Sequence, residues 1–582
     1  MTKTNTNGIS RRNFLAGAAG ISALAAAGLA GCAPQTASGN GSETASSESS
    51  ATATASEDWL GTAPEIAESD IVETRETDIL IVGAGMSGMA AAATAADMGA
   101  NFIVVDKGTE PAAAHYDVGA INSKYTEAAD QHVDEGRLLN ELNRYASFKN
   151  DSTVANTWIH NSAELIDWLE DLYKRQGINV EVQLDVENGS DGRAGGTTYY
   201  IPAECHHFMD ADSEDPRGGR VEHIEVLTKF VEEAGSPVQY GFDLARLNRE
   251  EGGRVTGAIF NTENGYVQIN AAKGVILACG GYAGNPAMVK GRAPILTKCV
   301  TSLNYNQNNT GMGMKAAAWV GAALDTEPAY MIFDRGIVPP GTDAGYVDEE
   351  SGMWATGGQF NLGSQPFLKV DRKGKRITNE SANYDAICLA ASNHPGGVWC
   401  LVMDSNAVDD VQRFQTQGCS ANTWKNTLKP GTNIDEAYEK QLSEGLMMKA
   451  DTLDELADQL GFTGEDKETF LATIEHYNEM YDAGEDTEFG KEAYRLSAIR
   501  EAPFYGAWFG GALLTTLDGV KINANTQVVD EQGNVIEGLH AVGTCSGSYY
   551  AGNYPVYIVG NCLGRQMTFG RYAVRYLEGE IQ

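Results

Sequence analysis

Six residues, Gly83-Ala84-Gly85-Met86-Ser87-Gly88, constrain this chain more than any others. They follow directly on Thr77-Asp78-Ile79-Leu80-Ile81-Val82, a short apolar run of the kind that forms a buried strand. An Ala-rich, helix-forming stretch continues to about Met98, and a second apolar run, Asn101 to Val105, ends at Asp106. Strand, glycine-rich turn, helix, strand and an acid about 20 residues on form a dinucleotide-binding fingerprint in the context it requires. The first glycine permits the tight turn. The second lets the backbone approach a pyrophosphate, and the third lets the helix lie close to the strand. The helix start offers amide donors and a positive dipole end to the phosphates. Asp106 is expected to accept a hydrogen bond from the adenosine ribose, with Lys107 beside it. The fold class that follows is α/β, built on a Rossmann-like domain, but the fingerprint alone does not distinguish NAD from FAD.

The rest of the composition narrows the partners. The chain has 582 residues, with 42 Lys+Arg against 79 Asp+Glu and a formal charge of −37. That balance argues against nucleic acid, which needs a clustered basic face, and against adhesion to anionic lipid through basic patches. The chain has nine Cys but no CxxC or CxxCH, which argues against a c-type haem and a zinc ribbon. An iron–sulfur site built from scattered Cys stays open. Ser10-Arg11-Arg12-Asn13-Phe14-Leu15, followed by an apolar Ala/Gly-rich stretch from Ala16 to Ala30, resembles a twin-arginine export signal. Leu29-Ala30-Gly31-Cys32 resembles a lipobox, so residues 1–31 are expected to be removed and Cys32 lipidated. This places the protein on the outer face of the cytoplasmic membrane. Residues 32–70 then read as a tether, because Ser, Thr, Ala, Gly and Glu cannot bury enough surface to offset their ordering entropy.

Distant segments complete the nucleotide fold. Gly274 to Cys279 reads as a buried strand running into Gly280-Gly281-Tyr282-Ala283-Gly284-Asn285. Ile536 to Val542 is a short strand ending at Gly543, and Gly560-Asn561-Cys562-Leu563-Gly564-Arg565 opens a helix. With Asn306 to Gly313 and Gly374-Lys375-Arg376-Ile377-Thr378-Asn379-Glu380, these segments as a set resemble the FAD-dependent fumarate reductase-like flavoproteins, which include soluble fumarate reductase, urocanate reductase and 3-ketosteroid dehydrogenase. The resemblance runs from about Thr77 to Tyr576. It implies a non-covalently held FAD in a domain made of residues 71–285 and 501–582, with an inserted α+β capping domain at 286–500. It also implies that Gly119, Ala120, Gly280, Gly281, Gly543, Gly560, Asn561 and Leu563 join Gly83, Ala84, Gly85, Ser87, Gly88, Asp106 and Lys107 around the cofactor.

Dicarboxylate reductases of this family resemble one another in two His and two Arg at the substrate. On this sequence the corresponding positions fall at Phe333, Tyr384, Gly506 or Ala507, and Tyr557 or Tyr554. Cationic chemistry is therefore expected to be lost, and a dicarboxylate would be costly to desolvate there. Phenolic and aromatic walls suit a flatter, mostly apolar molecule carrying a carbonyl or phenol. Glu380-Ser381-Ala382-Asn383-Tyr384 and Asn553-Tyr554-Pro555 resemble segments of the 3-ketosteroid dehydrogenases that carry tyrosines, although Val556 stands where those enzymes have Gly. The expected chemistry is reduction of an activated C=C bond. Tyr384 would be the proton donor, with Asp385 as a candidate relay, and Tyr554 or Tyr557 would polarise the substrate. Electrons would come from a separate cytochrome or flavin protein. The alternatives are a ketosteroid-type dehydrogenase working oxidatively and a non-catalytic ligand-binding lipoprotein. Cys205-His206-His207 has a metal-site composition, but adjacent side chains point apart and no second ligand pair is evident, so no metal is assigned. His115 raises the thought of a covalent flavin, and its spacing to Ala120-Ile121-Asn122 does not fit that motif.

Overall fold

The computed structural model describes residues 59–111, 116–184, 204–214, 219–303, 308–345, 354, 358–414 and 431–581. The export signal, Cys32, most of the tether, His115 and Asn306 lie outside the described residues. In chain order the strands are β1 (Ile71–Val82), β2 (Phe102–Asp106), β3 (Asp117–Gly119), β4 (Val180–Leu184), β5 (Cys205–Asp210), β6 (Gln239–Tyr240), β7 (Asp243–Arg249), β8 (Val255–Thr262) and β9 (Gly265–Leu277). They continue with β10 (Val300–Leu303), β11 (Tyr330–Val338), β12 (Leu368–Val370), β13 (Trp399–Met403), β14 (Met447–Ala450), β15 (Phe504–Thr516), β16 (Gln527–Val529) and β17 (Val535–Ala541).

The nucleotide sheet runs β16-β17-β9-β1-β2-β6. Its centre is parallel: Val82 of β1 stands between Val105 of β2 and Leu277 of β9, and Ala541 of β17 pairs with Leu277 from the far side. Ile79, Leu80 and Ile81 are fully buried, as a parallel strand covered on both faces demands. The hairpin β7–β8 lies antiparallel on the first half of β9.

A second sheet is organised by β15, all thirteen residues of which are buried. β11 pairs antiparallel with β15 between Trp508 and Thr516, β14 with Phe504 to Ala507, and β13 with Tyr505 to Phe509; β10 joins in parallel at Gly511 to Leu513. This moves the expected boundary at 501. The strand placed with the C-terminal FAD segment is the central strand of the inserted unit, and the chain re-enters the nucleotide sheet only after Thr516.

The re-entry is tied down by buried charge. Asp518, fully buried, takes Arg292 at 2.6 and 3.0 Å and the Tyr282 hydroxyl at 2.7 Å. Asp325 accepts the amides of Gly519 at 3.1 Å and Ser548 at 3.0 Å, and burial pushes its carboxyl up to about 6. Removing one partner of such a pair strands a charge in low dielectric, which costs about 3–5 kcal/mol. Arg292→Met is therefore expected to lower the thermal unfolding midpoint clearly. Arg500→Met, which breaks the exposed pair with Asp482, should shift it far less, because water and salt screen that pair. Equal effects of the two in calorimetry would contradict this assignment.

Candidate functional site

The nucleotide cradle is made where backbone meets backbone. Helix α1 (Met86–Met98) starts at Gly85 with no side-chain cap, so its first amides are left for a phosphate. Gly83 has φ 109°, and a Cβ there would lie 2.8 Å from the Ala278 carbonyl carbon; one on Gly88 would overlap the Gly83 oxygen. The third glycine of the fingerprint thus lets α1 lie on the turn itself. Asp106 ends β2 and accepts two backbone donors, Ala84 at 2.7 Å and Gly108 at 2.7 Å. A carboxylate has about four lone-pair sites, so it holds the phosphate turn and retains capacity for ribose hydroxyls. Its part in shaping the turn had no signal in the sequence. Lys107 is exposed and reaches Thr310 at 3.3 Å.

The remaining expected cofactor residues converge from far apart in the chain. Gly280 and Gly281 follow β9, and a Cβ on Gly281 would overlap Thr516. Gly543 follows β17 with φ 64°, against Ser87 of α1. Helix α3 (Asn561–Leu577) starts at Gly560, φ 78°, also without a side-chain cap. Gly119 donates to the Gly560 carbonyl at 2.9 Å, and a Cβ on it would lie 2.7 Å from Gly560. Ala120 donates to Glu204, and Leu563 is buried in the first turn of α3. The Asn561 side chain is spent on Tyr550 at 2.7 Å and Tyr549 at 2.8 Å, so it shapes the helix start and leaves the backbone to face a cofactor. Two uncapped helix starts and a glycine-lined crossing fit a pyrophosphate and a flat ring system.

The three candidate catalytic tyrosines are all buried. Tyr384 opens helix α2 (Tyr384–Ala391), and its ring meets Phe333 edge-on at 5.1 Å. The expected loss of cations does not hold here. Arg335, buried, lies 4.1 Å over the Phe333 ring and 5.4 Å over Tyr384, with Nε donating to Ser364 at 3.2 Å. Tyr554 accepts the Cys562 amide at 3.2 Å, which turns its hydroxyl toward the start of α3. Tyr557 is buried in the same loop. Asp385 takes a hydrogen bond from Asn383, and the side chain of Asn553, in the Tyr554 segment, favours its charged form. Burial pushes the Asp385 carboxyl up to about 7.

The Gly374-to-Glu380 motif builds the floor beneath α2. Arg376 is bidentate to Glu380 (3.0 and 2.8 Å) and to Asp486 (2.9 and 2.9 Å). Lys491 stands 3.4 Å from Glu380. Burial alone would raise the Glu380 carboxyl, but Lys491 and Arg376 hold it below its ordinary value. Lys369, also buried beside this network, is pushed down to about 8 by desolvation. The motif therefore anchors the turn that delivers Tyr384.

With this geometry in place, the chain belongs to the FAD-binding domain family, whose model matches residues 78–559. FAD is its cofactor, and it is an FAD-dependent oxidoreductase. It is 25% identical over 510 residues to a vinyl phenol reductase of Lactiplantibacillus plantarum, across 86% of this chain and 96% of that protein. It is 25% identical over 508 residues to a probable fumarate reductase of Shewanella frigidimarina, across 85% of this chain and 74% of that one. Its fold matches a 3-ketosteroid Δ1-dehydrogenase structure from Sterolibacterium denitrificans with TM-score 0.65 at 18% identity, covering 87% of this chain and 100% of that one.

Hydrogen bonds to a charged group contribute about 1.5–3 kcal/mol each. Asp106→Ala, which frees the Ala84 and Gly108 amides, is expected to weaken FAD retention at least about 10-fold. The check is flavin absorbance per chain after gel filtration, and full retention would refute the role.

Proposed function

We propose that this protein reduces an activated C=C bond, of an enone or α,β-unsaturated acid type, in a mostly apolar or aromatic small molecule. The carrying observation is Tyr384, buried at the start of α2 against Phe333 and Arg335, with the buried carboxyl of Asp385 next to it. Bound FAD, once reduced, supplies the hydride. The chain's own residues do the rest. A phenol of ordinary pKa about 10 is protonated at neutral pH, so Tyr384 can give the second alkene carbon its proton. Asp385 adjoins it and titrates near neutrality, which suits a group that returns that proton. Arg335 offers one guanidinium, enough for a single developing oxyanion. The two carboxylates of fumarate would need more. The reach of the match to a vinyl phenol reductase, nearly that protein's full length, supports the same substrate class.

An oxidative, ketosteroid-type role is supported less. The Tyr554 hydroxyl is engaged by the Cys562 amide, and Val556 replaces the glycine whose amide would complete the oxyanion site. In the preferred reading the enzyme works outside the cytoplasmic membrane, tethered through Cys32. A separate cytochrome or flavin protein supplies its electrons. The support for this part is the twin arginines and lipobox of the sequence.

Viologen-reduced enzyme is expected to be reoxidised by a hydroxystyrene, enone or cinnamate-type acid, and far more slowly by fumarate. Rapid fumarate turnover overturns the substrate class. Tyr384→Phe should lower kcat by about 10²–10⁴-fold with flavin content unchanged. For pH, the sign follows from a raised carboxyl. Asp385 is protonated, and able to donate, below about 7, so kcat should fall as pH rises through that value. Asp385→Asn should flatten this limb; a profile unchanged in the variant removes Asp385 from the relay.

A further inference from the structure

We propose that Asp117, Cys205 and His207 form a binding site for one divalent cation of the zinc class. The site is separate from Tyr384 and independent of the reading above. Along β5 alternate side chains take opposite faces. His206 turns one way: it is fully buried, 2.6 Å from Ser123 Oγ and 2.7 Å from the Glu204 carbonyl, and burial pushes it down to about 4. It is a structural, neutral histidine. Cys205 and His207 take the other face. There β3 pairs antiparallel with β5, placing Asp117 opposite His207 and the side-chain-less Gly119 opposite Cys205. The adjacent-residue objection in the sequence therefore holds only for His206. The missing ligand comes from β3.

The three candidate ligand atoms lie within 4.8 Å of one another. Cys205 Sγ is 3.9 Å from His207 Nε2, and Asp117 Oδ1 is 2.9 Å from His207 Nδ1. At that separation Nδ1 still makes no hydrogen bond among the described residues, so imidazole and carboxylate are close without facing each other. Such a pair is poorly arranged for a Cys-His-Asp nucleophile, which needs an aligned Nδ1–H to carboxylate bond. One ion can take only one ring nitrogen: Cys205 lies at Nε2 and Asp117 at Nδ1, and one ligand atom from each residue still falls within 4.8 Å of the others. Bonds of about 2.0–2.3 Å to zinc hold ligand atoms up to about 4 Å apart, so binding requires the carboxylate and the ring to adjust toward a single nitrogen. A thiolate, an imidazole and a carboxylate together favour zinc over magnesium or calcium. Three protein ligands leave a fourth position for water or a small ligand. Arg220, exposed and 3.4 Å from the same Asp117 oxygen, is the competing cation that the metal displaces.

The test uses the FAD-loaded full chain, stripped with chelator and titrated with Zn²⁺ and Co²⁺. The expected result is one metal per chain and, with Co²⁺, a thiolate charge-transfer band in the near ultraviolet. Cys205→Ala should abolish the band, and His207→Ala should weaken binding by more than the ~10–100-fold typical of losing an outer-sphere partner. Arg220→Gln should tighten it. Unchanged flavin content in these variants shows that the fold persists. Substoichiometric metal, or a cobalt band that survives Cys205→Ala or His207→Ala, overturns the proposal.

Discussion

The nucleotide site depends on a steric constraint: segments from Gly83 to Gly564 must meet with no side chain between them. Gly119 against Gly560, Gly83 against Ala278 and Gly570 against Ser87 are each approaches that a single methyl would block. Close packing leaves no slack for such a methyl. Helices α1 and α3 therefore reach the cradle with bare, uncapped starts, and each contributes its amides. The distribution of glycine across the chain is a consequence of this meeting, and so is the discontinuity of the FAD unit. A chain that leaves after β9 and returns after β15 has to be steered back accurately. The Arg292–Asp518–Tyr282 cluster provides that steering, because a buried carboxylate tolerates few geometries.

Local patterns carried most of what the sequence revealed. The fingerprint, Asp106 and the helix starts lie within stretches whose periodicity and glycines speak for themselves. The boundary near 501 was misplaced because thirteen buried residues in β15 look alike whichever sheet they enter. Arg335 was missed for a different reason. The register between β11 and β15 slips between Phe333 and Gly336, which interrupts the simple alternation of faces. A position-by-position comparison that stops at Phe333 has no means of placing a guanidinium two residues on. The influence of Asn553 on Asp385 was likewise invisible, since it brings the start of helix α2 to a segment far along the chain.

The electrostatics of the candidate site follow from its aromatic lining. Phe333, Tyr384 and the Tyr554–Tyr557 loop are all buried there. The arginine against Tyr384 lies over two aromatic rings, and a second buried arginine, Arg565, lies over Tyr549 and Tyr550 beside the Tyr554 loop. A guanidinium stacked on aromatic faces keeps its donors at its edges. It can therefore serve a single oxygen while the rings stay in contact with an apolar body. Burial dominates the carboxyls beside these groups: it pushes Asp385 up to about 7 and, against the pull of Lys369 and Arg335, pushes Asp334 up to about 6.

This division of labour explains why the heavily charged network sits one layer below. Arg376 pairs with Glu380, Asp486 and Glu488, and Lys491 stands beside Glu380, so each buried charge of the network has an opposite partner. What they transmit is position. Glu380 lies four residues before Tyr384, and the intervening turn has little freedom once Arg376 grips the carboxylate from both oxygens. A phenol must stand within hydrogen-bond reach of the carbon's approach line to act as an acid, and it has no charge with which to pull a substrate into place. In the role we propose for Tyr384, the precision that an arginine donor would gain from Coulomb attraction comes from this rigid floor, which is why a buried ion network suits an uncharged donor.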